Sequence, residues 1–116
     1  MPPATPSDHR GPAGEVTTRT GTSDGIVVVL TGEVDAGLQP QMDAALDAVV
    51  RSGGAGGLVV DAEELTYIDS VGVSFLLRLR EHTGGGRLTV LGTPPRVRTL
   101  LDLIGVTSRF DLHDRI

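Results

Sequence analysis

An aspartate and a serine stand where an apolar strand passes into an apolar helix, and this Asp69-Ser70 pair could carry chemistry. The run 58–61 predicts the strand, and the stretch after Ser70 predicts the helix. Serine is an N-cap residue type, so we expect Ser70 at the mouth of that helix. The unpaired N–H groups of a first turn and the helix dipole favour negative charge there. A hydroxyl in this position can cap the helix, attack a substrate or accept a phosphate.

The nucleophile role lacks the residues that it needs. The serine hydrolase elbow Gly-x-Ser-x-Gly would require glycine where the chain has Ile68. His82 would lie about three turns down the same helix, too far for a hydrogen bond to Ser70. The chain has no Cys and no Lys, which excludes thiolate sites, P-loops and Schiff bases, and His9, His82 and His113 lack metal-ligand spacing. We therefore expect no enzyme, no metal and no cofactor.

Helix capping explains Ser70 but leaves the apolar stretch after it unexplained. That helix is apolar nearly all round, so we expect one face on a sheet and Val71 or Phe75 exposed to solvent. Exposed apolar surface around a polar residue usually marks a partner surface. A phosphate would add about −1.5 to −2 charge units there. A helix N-terminus tolerates this charge, but a partner that buries the surrounding apolar surface does not. The pattern favours Ser70 as a phosphoacceptor, with Thr66 and Ser74 as rival acceptors.

Length and composition indicate one folded domain. The chain has 116 residues, 39% hydrophobic residues and a mean hydropathy of +0.07. Its net charge of −5 argues against direct nucleic-acid binding, which needs concentrated positive charge. No apolar run reaches the roughly 20 residues that span a bilayer, and no secretory signal is visible. We expect a cytoplasmic protein that binds neither nucleic acid nor membrane.

Strand and helix patterns alternate along the chain. Residues 1–14, rich in Pro, Gly, Ser and Thr, predict a disordered tail, and 15–116 predict one domain. Gly32 to Gly37 is expected to break the second strand. Strands are predicted at 15–20, 26–30, 58–61, 87–91 and 110–112, and helices from Pro40 to the glycines at 53–57, from Ser70 to about His82, and from Pro95 to Gly105. This order predicts a single α/β domain with a mixed four- to five-stranded sheet and helices packed on it.

The same residues resemble the successive blocks of a STAS domain, in particular those of bacterial anti-sigma factor antagonists. The resemblance covers roughly residues 15–112 and keeps the order and spacing of the blocks. The blocks are Gly32-Glu33-Val34-Asp35, Pro40 opening a helix, Tyr67 to Val73, Gly85-Gly86-Arg87-Leu88 and Pro95 to Val106.

The resemblance implies a non-enzymatic switch. Ser70 would be phosphorylated by an anti-sigma factor that is itself a serine/threonine kinase and that supplies ATP and Mg²⁺. The unphosphorylated chain would bind that kinase and release its sigma factor, and a PP2C-type phosphatase would reset the switch. The partner-binding residues that the resemblance implies are Asp35, Asp69, Val71, Gly72 and Val73.

Two positions depart from the pattern that the resemblance implies. Leu38 and Val71 stand where the family often has a hydroxyl residue, which changes the polar lining of the loop. The alternative function is a STAS interaction module in another signalling or lipid-transport assembly. In that alternative, Ser70 is only an interface or helix-cap residue.

Overall fold

The structure, a computed structural model, describes residues 13–21, 25–54, 56–84 and 86–114. Residues 1–12 of the predicted tail, and residues 22–24 between the first two predicted strands, lie outside this range. The described residues form eight longer elements and two short 3-10 turns, and these turns are Ala36–Leu38 and Thr107–Arg109. The longer elements are β1 (Glu15–Thr20), β2 (Ile26–Val34), α1 (Gln39–Ser52), β3 (Leu58–Ile68), α2 (Ser70–Arg80), β4 (Leu88–Leu91), α3 (Pro95–Ile104) and β5 (Phe110–His113).

The five strands form one mixed sheet in the order β1-β2-β3-β4-β5. β1 runs antiparallel to β2, and the three remaining pairs are parallel and joined by helices. Along β2, Val28, Leu30 and Val34 are fully buried, whereas Val29 and Thr31 between them are half-buried. This alternation places one face of the sheet on the core. The predicted α/β class and mixed sheet are confirmed.

The two central strands are longer than the sequence pattern predicts. β2 continues to Val34 instead of ending at residue 30, and β3 continues to Ile68 instead of ending at residue 61. Gly32, with φ +63, stays within β2 and does not end it. It lies opposite a register shift at which β3 carries one extra residue, Thr66, between Leu65 and Tyr67. The pairing of Val34 with Ile68 brings both strands to an end at the same level.

Left-handed glycines end two of the helices, as predicted. Gly53 (φ +68) follows α1 and Gly105 (φ +86) follows α3. α2 ends at Arg80, two residues before the predicted end. Val50 continues the apolar i, i+3, i+4, i+7, i+8 spacing that starts at Met42, but it is 52% exposed. No helix in the described part of the chain is long and apolar enough to cross a membrane.

Candidate functional site

Asp69, not Ser70, caps α2. Asp69 has extended backbone (φ −104, ψ −174), and its Oδ1 accepts a hydrogen bond from the Gly72 N–H at 3.0 Å. Its carbonyl oxygen accepts from the Val73 N–H, also at 3.0 Å, which is the first helical bond. The prediction that Ser70 is the N-cap is therefore wrong. Aspartate is an equally good cap, and the end of β3 fixes Asp69 in the extended conformation that a cap requires.

Ser70 is the first residue of α2 and is exposed. Within the described part of the chain its hydroxyl makes no hydrogen bond, because Asp69 already performs the capping role. A hydroxyl that is exposed and not engaged in the fold is accessible to a phosphoryl-transfer enzyme. The structure thus removes the capping role and keeps Ser70 available for modification.

Asp69 also ties the mouth of α2 to the loop after β2. Its Oδ2 accepts from the Ala36 N–H at 3.2 Å, and its own N–H donates to the Val34 carbonyl at 3.2 Å. Asp35 caps the adjacent 3-10 turn, since its Oδ1 accepts from the Gly37 N–H at 2.9 Å. Asp35 and Asp69 are therefore neighbours, linked through Ala36. The two aspartates lie side by side because β2 and β3 end at the same level of the sheet, where Val34 pairs with Ile68.

The other predicted contact residues lie mainly beneath this surface. Gly72 is buried, Val73 is a core residue with 3% exposure, and Val71 is half-buried. Of these three, Val71 alone presents a side chain partly to solvent. Partner binding by Gly72 and Val73 stays a prediction. The Val73 side chain packs in the core, and the lack of a side chain at Gly72 lets α2 pack closely on the sheet.

Gly72 allows α2 to start close to the ends of β2 and β3. A Cβ at this position would overlap Ile68 Cγ1 and lie 2.9 Å from Ile68 Cδ1 and 3.3 Å from Val34 Cγ1. Both neighbours are buried, so they have little room to move.

We expect Gly72→Ala to destabilise the domain by about 1–3 kcal/mol, because the added methyl overpacks the mouth of α2. Chemical denaturation of the two proteins measures this difference. Gly86→Ala is the matched control, since a Cβ there comes no closer than 4.0 Å to Thr83 O. An unchanged unfolding midpoint for Gly72→Ala would show that α2 can shift without loss.

The exposed apolar side chains, which we call the apolar rim, lie on β3 and α3 and not on α2. Phe75, predicted to face solvent, is buried with 3% exposure. Tyr67, Leu103 and Ile104 are 38%, 80% and 46% exposed. In the sequence, Leu103 could have indicated this exposed surface, because it stands outside the i, i+3, i+4, i+7 apolar stripe of α3.

A shallow groove of about 250 Å³ runs along this rim, and we call it the Tyr67 groove. Its walls come from the end of β3 and from one side of α3. It is lined by Tyr67, Ile68, Arg96, Val97, Thr99, Leu100 and Leu103.

The site offers little for metal or serine-hydrolase chemistry. The described residues contain no group of three or more His, Asp or Glu side chains that could hold a metal ion. His82 follows the far end of α2, so it lies about 18 Å from Ser70 along the helix axis. That distance is too long for His82 to act as a base on the Ser70 hydroxyl.

This fold is that of a STAS domain. The family profile described as "Mlab, STAS domain" matches residues 17–112. The chain belongs to the STAS domain family, as the resemblance predicted.

Solved structures of anti-sigma factor antagonists are similar to this chain. An anti-sigma factor antagonist from Mycobacterium paratuberculosis has a TM-score of 0.72 and 26% identity, covering 87% of this chain and 86% of that one. Unphosphorylated SpoIIAA has a TM-score of 0.61 and 23% identity, covering 76% and 82%. The phosphorylated Bacillus cell fate determinant SpoIIAA has a TM-score of 0.66 and 22% identity, covering 87% and 91%. Both forms of SpoIIAA share the fold of this chain.

Proposed function

We propose that this protein is an anti-sigma factor antagonist that is switched off by phosphorylation at Ser70. Its unphosphorylated form binds an anti-sigma factor that is a serine/threonine kinase, and this binding releases the sigma factor. The observation that carries the proposal is the exposed, unengaged Ser70 hydroxyl at the capped mouth of α2. The similarity to the Mycobacterium paratuberculosis antagonist supports it.

Phosphorylation would change the surface more than the fold. Asp69 already accepts from the Gly72 N–H, and its carbonyl oxygen accepts from the Val73 N–H. A phosphate on Ser70 would therefore stay outside the first turn, hydrated and beside the Asp69 carboxylate. The helix dipole favours it by about 0.3–1 kcal/mol. A partner that covers Ser70 would have to desolvate about −1.5 to −2 charge units, which opposes binding.

The other components of the switch come from outside the chain. The kinase supplies ATP and Mg²⁺, and a PP2C-type phosphatase removes the phosphate. This chain contributes the acceptor hydroxyl and the contact surface around it, including Asp35, Asp69 and Val71. It acts as a non-enzyme in the cytoplasm, without a cofactor and without direct contact to nucleic acid or membrane.

The decisive experiment is phosphorylation by the serine kinase anti-sigma factor encoded in the same genome. With Mg²⁺ and ATP, mass spectrometry should find one phosphate, on Ser70. Ser70→Ala should stay unmodified, and Ser74→Ala should be modified like wild type, because Ser74 lies one turn into α2. Phosphate on Thr66 or Ser74 would refute the assignment. Kinase binding without any phosphate would favour the alternative, an interaction module in which Ser70 is only an interface residue.

A further inference from the structure

β3 extends beyond its neighbour on one side. β4 pairs with β3 only from Val59 to Asp61, whereas β2 pairs with β3 as far as Ile68. In the part of the chain that the structure describes, no strand pairs with β3 beyond Asp61 on the β4 side. The Tyr67 groove lies between the end of β3 and α3, the helix that follows β4.

The start of this edge is closed within the fold. The Asp61 Oδ1 accepts a hydrogen bond from the Glu63 N–H at 3.0 Å. Gly92, directly after β4, approaches so closely that a Cβ there would lie 3.0 Å from Glu63 Cα. The accessible part of the edge therefore begins after Glu63 and runs to Tyr67. A strand edge that lacks a neighbour can accept another strand.

The groove has the size and chemistry for side chains. Its volume of about 250 Å³ is below the roughly 300–1,000 Å³ of small-molecule sites. Its walls are mostly apolar, with Tyr67 and Leu103 at the rim. A groove between a strand edge and a helix is a common peptide-recognition site, because the backbone pairs with the strand and alternate side chains enter the groove.

Charge and position indicate the occupant. Arg96 is the one charged side chain among the described residues that line the groove, and it is exposed. Glu64 is exposed while the next residue, Leu65, is buried, so Glu64 projects from the opposite face of β3. The groove lies next to the Ser70 site, since Ile68 lines it and is also the side chain that a Cβ on Gly72 would meet.

We propose that an extended segment of the anti-sigma factor adds to the edge of β3 and places an aliphatic side chain in the Tyr67 groove, with a carboxylate beside Arg96. This inference rests on the proposed function for the identity of the partner. It adds a second contact region, on β3 and α3, to the contacts around Ser70.

Calorimetric titration of the unphosphorylated chain with the kinase anti-sigma factor tests the groove. Leu103→Asp and Arg96→Glu should each weaken binding by about tenfold, with unchanged circular dichroism and melting temperature because both side chains are exposed. Val50→Asp is the matched control, an exposed aliphatic residue on α1, and should bind within twofold of wild type. Hydrogen exchange of the Leu65 to Tyr67 amides should slow in the complex.

The outcomes separate the two proposals. If wild type binds the kinase and is phosphorylated on Ser70 while both groove variants bind like wild type, the groove proposal is overturned and the proposed function stands. Weakened binding without slower exchange at Leu65 to Tyr67 would overturn strand addition. If wild type does not bind the kinase, both proposals are overturned together.

Discussion

Ser70→Asp is expected to lower the affinity for the anti-sigma factor kinase at least about tenfold, whereas Ser70→Ala binds like wild type. The aspartate places a permanent charge at the mouth of α2, and the partner must desolvate this charge to reach the apolar rim. A tenfold loss corresponds to about 1.4 kcal/mol, which is below the several kcal/mol that an unpaired buried charge can cost. Calorimetric titration of both variants measures the effect.

The fold itself should tolerate the Ser70→Asp change. A negative side chain in a first helical turn is stabilised by the helix dipole, so the melting temperature should stay within a few degrees of wild type. Ser108→Asp adds the same charge at an exposed serine just before β5, at the opposite end of the parallel strands, and should bind normally. Equal affinities for Ser70→Asp and wild type would count heavily against the phosphorylation switch.

Asp69→Ala is expected to destabilise the domain by about 1–3 kcal/mol. The change removes the N-cap of α2, which by itself contributes about 0.5–2 kcal/mol. It also removes the acceptor of the Ala36 N–H, which joins the loop after β2 to the helix. For a domain of about 100 residues, each 1 kcal/mol lowers the melting temperature by about 4–8 °C. Thermal unfolding followed by circular dichroism provides the measurement.

Asp69→Asn is the matched variant for this prediction. Asn has one acceptor oxygen where the carboxylate has two, so it can replace Oδ1 toward Gly72 or Oδ2 toward Ala36 but not both. Asn is also a good N-cap residue. We therefore expect a loss of stability between those of wild type and Asp69→Ala. If Asp69→Ala has the same melting temperature as wild type, the link between the loop and α2 contributes nothing to stability.

The sequence pattern predicted the parts of this protein that depend on local preference. The apolar period of α1, its end at Gly53 and the end of α3 at Gly105 follow from side-chain spacing and the conformational freedom of glycine. The order of elements was enough for a mixed sheet with parallel crossovers. The position of Ser70 at the start of a helix was also visible, since it needs only a strand, a polar pair and an apolar run.

The lengths of β2 and β3 could not be predicted, because they depend on pairing between distant residues. In the sequence, Glu33 and Val34 lie between glycines and resemble a loop. In the structure they belong to β2, because they pair with Tyr67 and Ile68. The extra residue of β3, Thr66, can be recognised only once Gly32 and Glu33 are paired with Leu65 and Tyr67. The exposure of apolar residues on α2 and α3 could not be predicted for the same reason. Phe75 is buried and Leu103 is exposed because of the elements that lie beside them in the fold.

Residue types and their order were enough to place Asp69 and Ser70 at the mouth of a helix after a strand. Which of the two caps the helix depends on the fold, because the end of β3 holds Asp69 in extended backbone between the Gly72 and Ala36 N–H groups. Capping is a local preference that serine and aspartate share, and their roles here are separated by the position of the backbone. That position depends on contacts from the β2 loop, more than 30 residues away in the chain. As a result, the Ser70 hydroxyl is left exposed and unengaged.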